Sequence, residues 1–207
     1  MRGQEAKSKY YKVSKIRWLT DDTFSLRMTG QKLNFKAGQH VILSIPGSSQ
    51  SREYSLYNGK SQSNPEVLVR KIENGIFSGY LSMLSEGDIV ELNGPIGEFT
   101  IDESKINTRH FVFIASGTGI APFRSMAETF PELNYQVIHG IRYGNEAYDR
   151  QVFHPARYTD CTSLDKTGKV QGRLTKHIAE ATFSTNTEFY ICGNSNMIFN
   201  SLDILKE

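Results

Sequence analysis

Along residues 10–99 apolar and polar positions alternate in short runs, and turn residues cut the runs apart. A period of two places every second side chain on one face, so these runs predict half-buried β-strands. They fall at 11–19, 23–29, 39–45, 52–57, 67–72 and 88–92. Pro46-Gly47-Ser48-Ser49, Asn58-Gly59-Lys60-Ser61 and Glu86-Gly87 supply the turn chemistry between them. One short helix is expected near 78–84. Strands this closely spaced predict an antiparallel barrel or sandwich.

From Arg109 the pattern changes to strand, helix, strand. A buried strand is expected at 110–115, a helix at 121–130 and a strand at 135–141; then a helix at 173–180, a strand at 188–192 and a helix at 196–205. Such alternation predicts a parallel sheet covered by helices. The polar stretch 102–108 separates the two patterns, giving domains 1–105 and 106–207. No internal repeat or low-complexity tract interrupts them.

Composition narrows the function classes. The 24 basic and 22 acidic residues leave a formal charge of +2, too small and too evenly spread for a nucleic-acid binder. Lys7, Lys9, Lys12, Lys15 and Arg17 lie on an alternating segment and read as a solvated face. No apolar run approaches the roughly 18 residues of a membrane span, and the charged start lacks a signal-peptide core, so a soluble cytoplasmic protein is expected. Two cysteines, Cys161 and Cys192, exclude a disulfide framework and a cysteine-ligated iron–sulfur cluster in this chain. His40, His110, His139, His154 and His177 lack ligand spacing, so no metal site is expected. His139, on a strand, reads as a satisfied interior or edge residue, and Trp18 as barrel packing.

Three local patterns carry chemistry. In Arg52-Glu53-Tyr54-Ser55-Leu56, strand alternation puts Arg52 and Tyr54 on one face and Ser55 on the other. A guanidinium beside an aromatic plane suits a phosphate and a flat ring, although alone the segment also reads as an ordinary edge strand. Gly75-Ile76-Phe77-Ser78 leads into the short helix, whose first-turn N–H groups suit an anion, with Ser78 as its cap. The bland alternative is plain capping with Phe77 and Leu81 in the core. The third pattern, Ser116-Gly117-Thr118-Gly119-Ile120-Ala121-Pro122, follows a strand and opens a helix. Glycines there let backbone approach a phosphate at the carboxyl edge of a parallel sheet, although Pro122 breaks the G-x-G-x-x-G fingerprint. Cys192-Gly193-Asn194 ends another strand, and Gly94-Pro95-Ile96-Gly97 reads as a turn closing the first domain.

In this order, Arg52-x-Tyr54-Ser55, Gly75-x-x-Ser78, Gly94-Pro95-x-Gly97, Gly117-Thr118-Gly119-Ile120-Ala121-Pro122 and Cys192-Gly193 resemble the ferredoxin–NADP reductase family over nearly the whole chain. The resemblance implies an antiparallel Greek-key β-barrel binding FAD, followed by a Rossmann-like parallel-sheet domain binding NADP or NAD. It places Arg52 on the flavin pyrophosphate, Tyr54 on the ring, Ser55 near N5 and Leu56 beside them. Gly75, Ile76, Phe77 and Ser78 complete the pyrophosphate site, with Lys71 near the adenosine half. Gly117, Thr118, Gly119, Ile120 and Pro122 hold the nucleotide, and Cys192, Gly193 and Asn194 lie beside the nicotinamide. Ser55 and Cys192 are the implied catalytic residues. The implied reaction carries a hydride from NAD(P)H to FAD, then single electrons to a separate ferredoxin or flavodoxin, with the reductase a monomer.

Two departures matter. Where NADP-using members carry Ser-Arg, this sequence has Ser163-Leu164-Asp165, with Arg142, Lys166 and Arg173 as compensating cations. NADPH and NADH therefore stay nearly even, with NADPH ahead from the family alone. Relatives also continue to a C-terminal aromatic over the flavin, whereas this sequence ends Leu202-Asp203-Ile204-Leu205-Lys206-Glu207. Either the sequence is shortened or the flavin face is open, in which case reduced flavin reoxidises rapidly in air. A reductase component serving an oxygenase fits the same residues. A non-catalytic flavin- or nucleotide-binding regulatory module is suggested by the missing C-terminal segment, but the intact Arg52/Tyr54/Ser55 and Cys192/Gly193 sets argue against it.

Overall fold

The computed structural model describes residues 9–206; Lys7 of the basic cluster, the rest of the charged start and Glu207 lie outside them. The chain divides into two compact units, Met1–Thr100 and Ile101–Glu207.

The first unit is a six-stranded antiparallel sheet of β1 (Lys9–Trp18), β2 (Thr23–Thr29), β3 (His40–Ser44), β4 (Ser51–Ser55), β5 (Glu66–Arg70) and β6 (Ile89–Ile96) in the order β4-β3-β6-β1-β2-β5. The sheet curls until its edges meet: Leu56, just past β4, bridges Val67 of β5, and the Tyr57 N–H donates to the Glu66 carbonyl at 2.7 Å. Buried Asn58 fixes the same junction, its side-chain oxygen accepting the Glu66 N–H at 2.8 Å. Alternating residues Phe24, Leu26, Met28, Val41 and Leu43 fill the interior. Helix α1 (Ile76–Met83) packs Phe77 and Leu81 into that core.

Three expectations are corrected here. Gly94-Pro95-Ile96 is no turn but the last part of β6, where Gly94 (φ +147°) lies close against Val41 at a register shift of β3. Ser78 does not cap α1; Gly75 takes the N-cap, and the Ser78 hydroxyl turns inward to accept the Ile72 N–H at 3.0 Å. Trp18 is 47% exposed, tilted over Phe24 rather than enclosed.

The second unit is a five-stranded parallel sheet of β7 (His110–Ser116), β8 (Tyr135–Ile141), β9 (Tyr158–Thr162), β10 (Val170–Gln171) and β11 (Thr187–Cys192), ordered β10-β9-β8-β7-β11. Helix α2 (Ala121–Thr129) covers one face, with Phe123 stacked on Phe113 at 4.8 Å. Helices α3 (Leu174–Glu180) and α4 (Ser195–Lys206) contribute to the core over Val112, Ile114 and Ile138. β9 and β10 were not expected. Buried Asp160 interrupts the apolar signal of β9 and is satisfied by the Lys169 N–H at 3.0 Å; β10 is two residues long.

Candidate functional site

In the first unit, β4 is an edge strand and presents Arg52 to solvent. Its guanidinium donates to the Ser51 carbonyl at 2.7 Å, and no carboxylate among the described residues pairs with it. Tyr54 packs on the core, its ring stacked on Phe77 at 6.3 Å. That contact joins β4 to the first turn of α1, which has no side-chain cap. Burial pushes the Tyr54 phenol up to about 12, only partly offset by Arg52, so it stays a neutral donor. Ser55 lies half-buried opposite His40. Ile76 and Lys71 are exposed, whereas the side chains of Leu56 and Phe77 belong to the core, so at this site those two offer backbone alone.

In the second unit the strand order reverses at β7: β8, β9 and β10 lie on one side and β11 on the other. Ligands of open α/β sheets bind at the carboxyl edge at such a reversal. Here β7 ends in a 3₁₀ turn, Gly117–Ile120, and β11 ends at Cys192. The two ends touch. A Cβ on Gly119 would lie 2.3 Å from the Cys192 carbonyl oxygen, and one on Gly193 (φ +144°) would lie 2.2 Å from Ser116 Oγ. Ser116 Oγ also accepts the Asn194 N–H at 2.9 Å. A Cβ on Gly117 would meet nothing within 4 Å, so backbone lies open at that point. This glycine-lined ledge at a helix start fits a pyrophosphate. Ile120 and Pro122 are buried and anchor the ledge from behind. Burial pushes the Cys192 thiol up to about 11, so it stays protonated.

The loops after β8 and β9 zip together: Ser163 N–H donates to Ile141 O at 3.0 Å and Leu164 N–H to Arg142 O at 2.9 Å. Between them lies a cavity of about 440 Å³ lined by Tyr143, Gly144, Asn145, Arg150, Asp160, Asp165 and Thr167. Asp165 accepts the Gly144 N–H at 2.9 Å and the Thr167 N–H and hydroxyl at 3.1 and 2.9 Å. These bonds, the Gly144 one foremost, hold its carboxyl below the usual range, so it is ionised. Arg142, expected as a phosphate-binding cation, is instead clasped by buried Glu146 through Nε at 2.9 Å and NH2 at 2.5 Å. Ser163 spends its hydroxyl on the Ile141 carbonyl at 3.2 Å. Arg173 is exposed at the N-cap of α3.

His139 is the satisfied interior residue expected from the sequence, but its partners tie it to the ledge. On β8 and fully buried, it sits with Nε2 2.8 Å from the Gly117 carbonyl oxygen and Nδ1 2.7 Å from the Tyr158 hydroxyl. Burial pushes its pKa down to about 4, against opposing pulls from the Gly117 carbonyl, Asp160 and Glu146. Below pH 6.5 the unfolded chain takes up a proton that the folded imidazole refuses, so stability falls with pH until the folded group also titrates near 4. The second unit should lose about 3 kcal/mol over this window through His139. Urea denaturation at stepped pH should show His139→Gln losing that much less than wild type; equal slopes would refute the assignment.

Residues 12–101 match the oxidoreductase FAD-binding domain family and residues 113–201 the oxidoreductase NAD-binding domain family. The chain is 31% identical over 203 residues to the toluate 1,2-dioxygenase electron transfer component of Pseudomonas putida, covering 90% of this chain and 60% of that protein. It is 30% identical over 225 residues to the propane 2-monooxygenase reductase component of Rhodococcus jostii, covering 94% and 59%. It thus spans about 60% of the length of such relatives. Among solved structures, a ferredoxin NADP+ reductase from Neisseria gonorrhoeae with bound FAD and NADP superposes with a TM-score of 0.86 at 21% identity, over 98% of this chain and 92% of that one. An Amycolatopsis cytochrome P450 reductase gives 0.86 at 26%, over 97% and 66%. With both domain families matched in order along one chain, the protein belongs to the ferredoxin–NADP reductase-like family, an FAD-binding domain followed by an NAD(P)-binding domain.

Proposed function

We propose that this chain is the flavin and nucleotide portion of an NAD(P)H-dependent reductase that passes single electrons to a redox protein. The observation that carries the reading is the ledge where β7 and β11 meet, with Gly119 and Gly193 too close to the neighbouring backbone and side chain for any Cβ. When bound, FAD would supply the redox chemistry, a store for the two electrons of a nicotinamide hydride that can leave one at a time while the proton passes to solvent. The chain's residues bind and orient. Arg52 and the first turn of α1 hold the pyrophosphate, Tyr54 covers the ring, and Ser55 offers a hydroxyl to its edge. Gly117, Thr118 and Gly119 hold the nucleotide, Gly193 and Asn194 close the crevice, and protonated Cys192 packs against the nicotinamide.

Relatives named as electron transfer components of oxygenases favour an oxygenase system as the recipient, reached directly or through a ferredoxin or flavodoxin. The iron–sulfur centre is then carried outside this stretch, since two cysteines cannot ligate one.

NADH is the nucleotide favoured by the cavity between the β8 and β9 loops. Asp160 and ionised Asp165 line it against the single guanidinium of Arg150, and Leu164 stands 62% exposed where an arginine would grip a 2′-phosphate. A carboxylate accepts a ribose hydroxyl and repels a phosphate. Anaerobic titration of the FAD-loaded protein should therefore bleach the flavin with either nucleotide, NADH being at least about tenfold more effective. Leu164→Arg should narrow that gap by about tenfold, on the order of 1.5 kcal/mol for one charge-assisted hydrogen bond. Flavin that binds yet is reduced by neither nucleotide would leave the regulatory module as the better reading.

A further inference from the structure

We infer that His139 is a positioning residue for the nucleotide site, and that the Tyr158 hydroxyl steadies its imidazole for this by donating to Nδ1. At Gly117 a Cβ would meet nothing within 4 Å, so the ledge is open there and the orientation of the Gly117–Thr118 peptide decides what a ligand meets. In a trans peptide the carbonyl and the following N–H point in opposite directions. His139 Nε2 holds the Gly117 carbonyl from the buried side at 2.8 Å, so the Thr118 N–H is turned the other way. Released from this bond, the peptide of a positive-φ glycine can flip, presenting a carbonyl oxygen where an anion needs a donor.

The tautomer follows from the partner. The Gly117 carbonyl oxygen can only accept, so the ring proton sits on Nε2, and the Tyr158 hydroxyl, which burial keeps protonated, is left to donate to Nδ1 at 2.7 Å. The other tautomer of the neutral ring would face a lone pair against the carbonyl oxygen. Tyr158 is held by its own packing, stacked on Phe153 at 5.4 Å, and β9 carries it beside β8. Tyr158→Phe therefore removes one hydroxyl while leaving the ring seated.

This inference rests on the nucleotide reading of the ledge, and the experiment separates the two. Binding of NAD+ and of NADP+ to the FAD-loaded protein is measured by calorimetry, alongside nitrogen-15 spectra of the histidine ring and steady-state reduction of a dye. In wild type, His139 should appear as the Nε2–H tautomer. Tyr158→Phe should shift the Nδ1 resonance as that nitrogen loses its donor, weaken binding of the preferred nucleotide five- to tenfold and raise its KM likewise. Its kcat should stay within twofold and FAD content should not change. His139→Gln, which keeps a donor amide, should retain more affinity than His139→Phe. Wild type that binds neither nucleotide would overturn both readings. An Nδ1–H tautomer, or Tyr158→Phe binding as wild type does, would overturn this inference alone.

Discussion

Gly119→Ala should cut NAD(P)H-driven flavin reduction by a hundredfold or more while leaving FAD content and chemical reduction by dithionite unchanged. The added methyl would lie 2.3 Å from the Cys192 carbonyl oxygen, 2.6 Å from Gly193 Cα and 2.7 Å from the Cys192 carbonyl carbon. All three are backbone atoms, so no side chain can swing away. The turn after β7 must move off the end of β11. Displacement of about 1 Å between reacting groups is enough for about a hundredfold loss. Overpacking of this kind also costs about 1–3 kcal/mol, so the second unit should melt earlier. Gly117→Ala is the informative companion: it meets no atom within 4 Å but must hold φ +52°, a backbone cost of roughly 1–2 kcal/mol without the clash. Stopped-flow reduction should rank wild type above Gly117→Ala and Gly117→Ala above Gly119→Ala. Equal rates for wild type and Gly119→Ala would sink the role given to the β7–β11 contact.

How much of this was legible in the sequence differs by element. A strand with clean alternation, such as Thr23–Thr29, lies where the pattern put it, because side-chain period and backbone geometry are tied. β9 hid because Asp160 puts a charge in a buried strand, a choice that makes sense only once the Lys169 N–H is beside it. Motif order singled out segments but could not sort side chain from backbone within them. Leu56, Phe77, Ile120 and Pro122 lie in those segments and turn their side chains inward. Arg142 looked like a free cation because its segment reads as a strand end and loop, and the 3₁₀ turn at Gly144–Glu146 that brings Glu146 back onto it leaves no periodic signal. The sequence marked His139 as satisfied without saying by what. Its partners, Gly117 and Tyr158, are 22 and 19 residues away and meet it only across the finished sheet.

Arg52→Ala should weaken FAD binding about 10- to 100-fold without destabilising the folded apoprotein. The two halves of that expectation have separate physical grounds. On the fold side, Arg52 stands exposed on the edge strand β4, spends a bond only on its neighbour's carbonyl and has no acidic partner among the described residues. Its removal leaves no buried group unsatisfied, so the change in stability should stay within about 0.5 kcal/mol. On the ligand side, a guanidinium gripping a pyrophosphate makes charge-assisted bonds worth about 1.5–3 kcal/mol. The Tyr54–Phe77 stack ties its strand to the uncapped first turn of α1, so in the proposed site cation and helix start would act on one anion. Arg52→Lys keeps the charge but loses the planar fork, and should recover only part of the affinity. Quenching of flavin fluorescence on titration into apoprotein reads the constants, and raised salt should narrow the gap between wild type and Arg52→Ala. Unchanged affinity in Arg52→Ala, with the melting temperature also unchanged, would remove Arg52 from the flavin site and leave α1 to hold the phosphate alone.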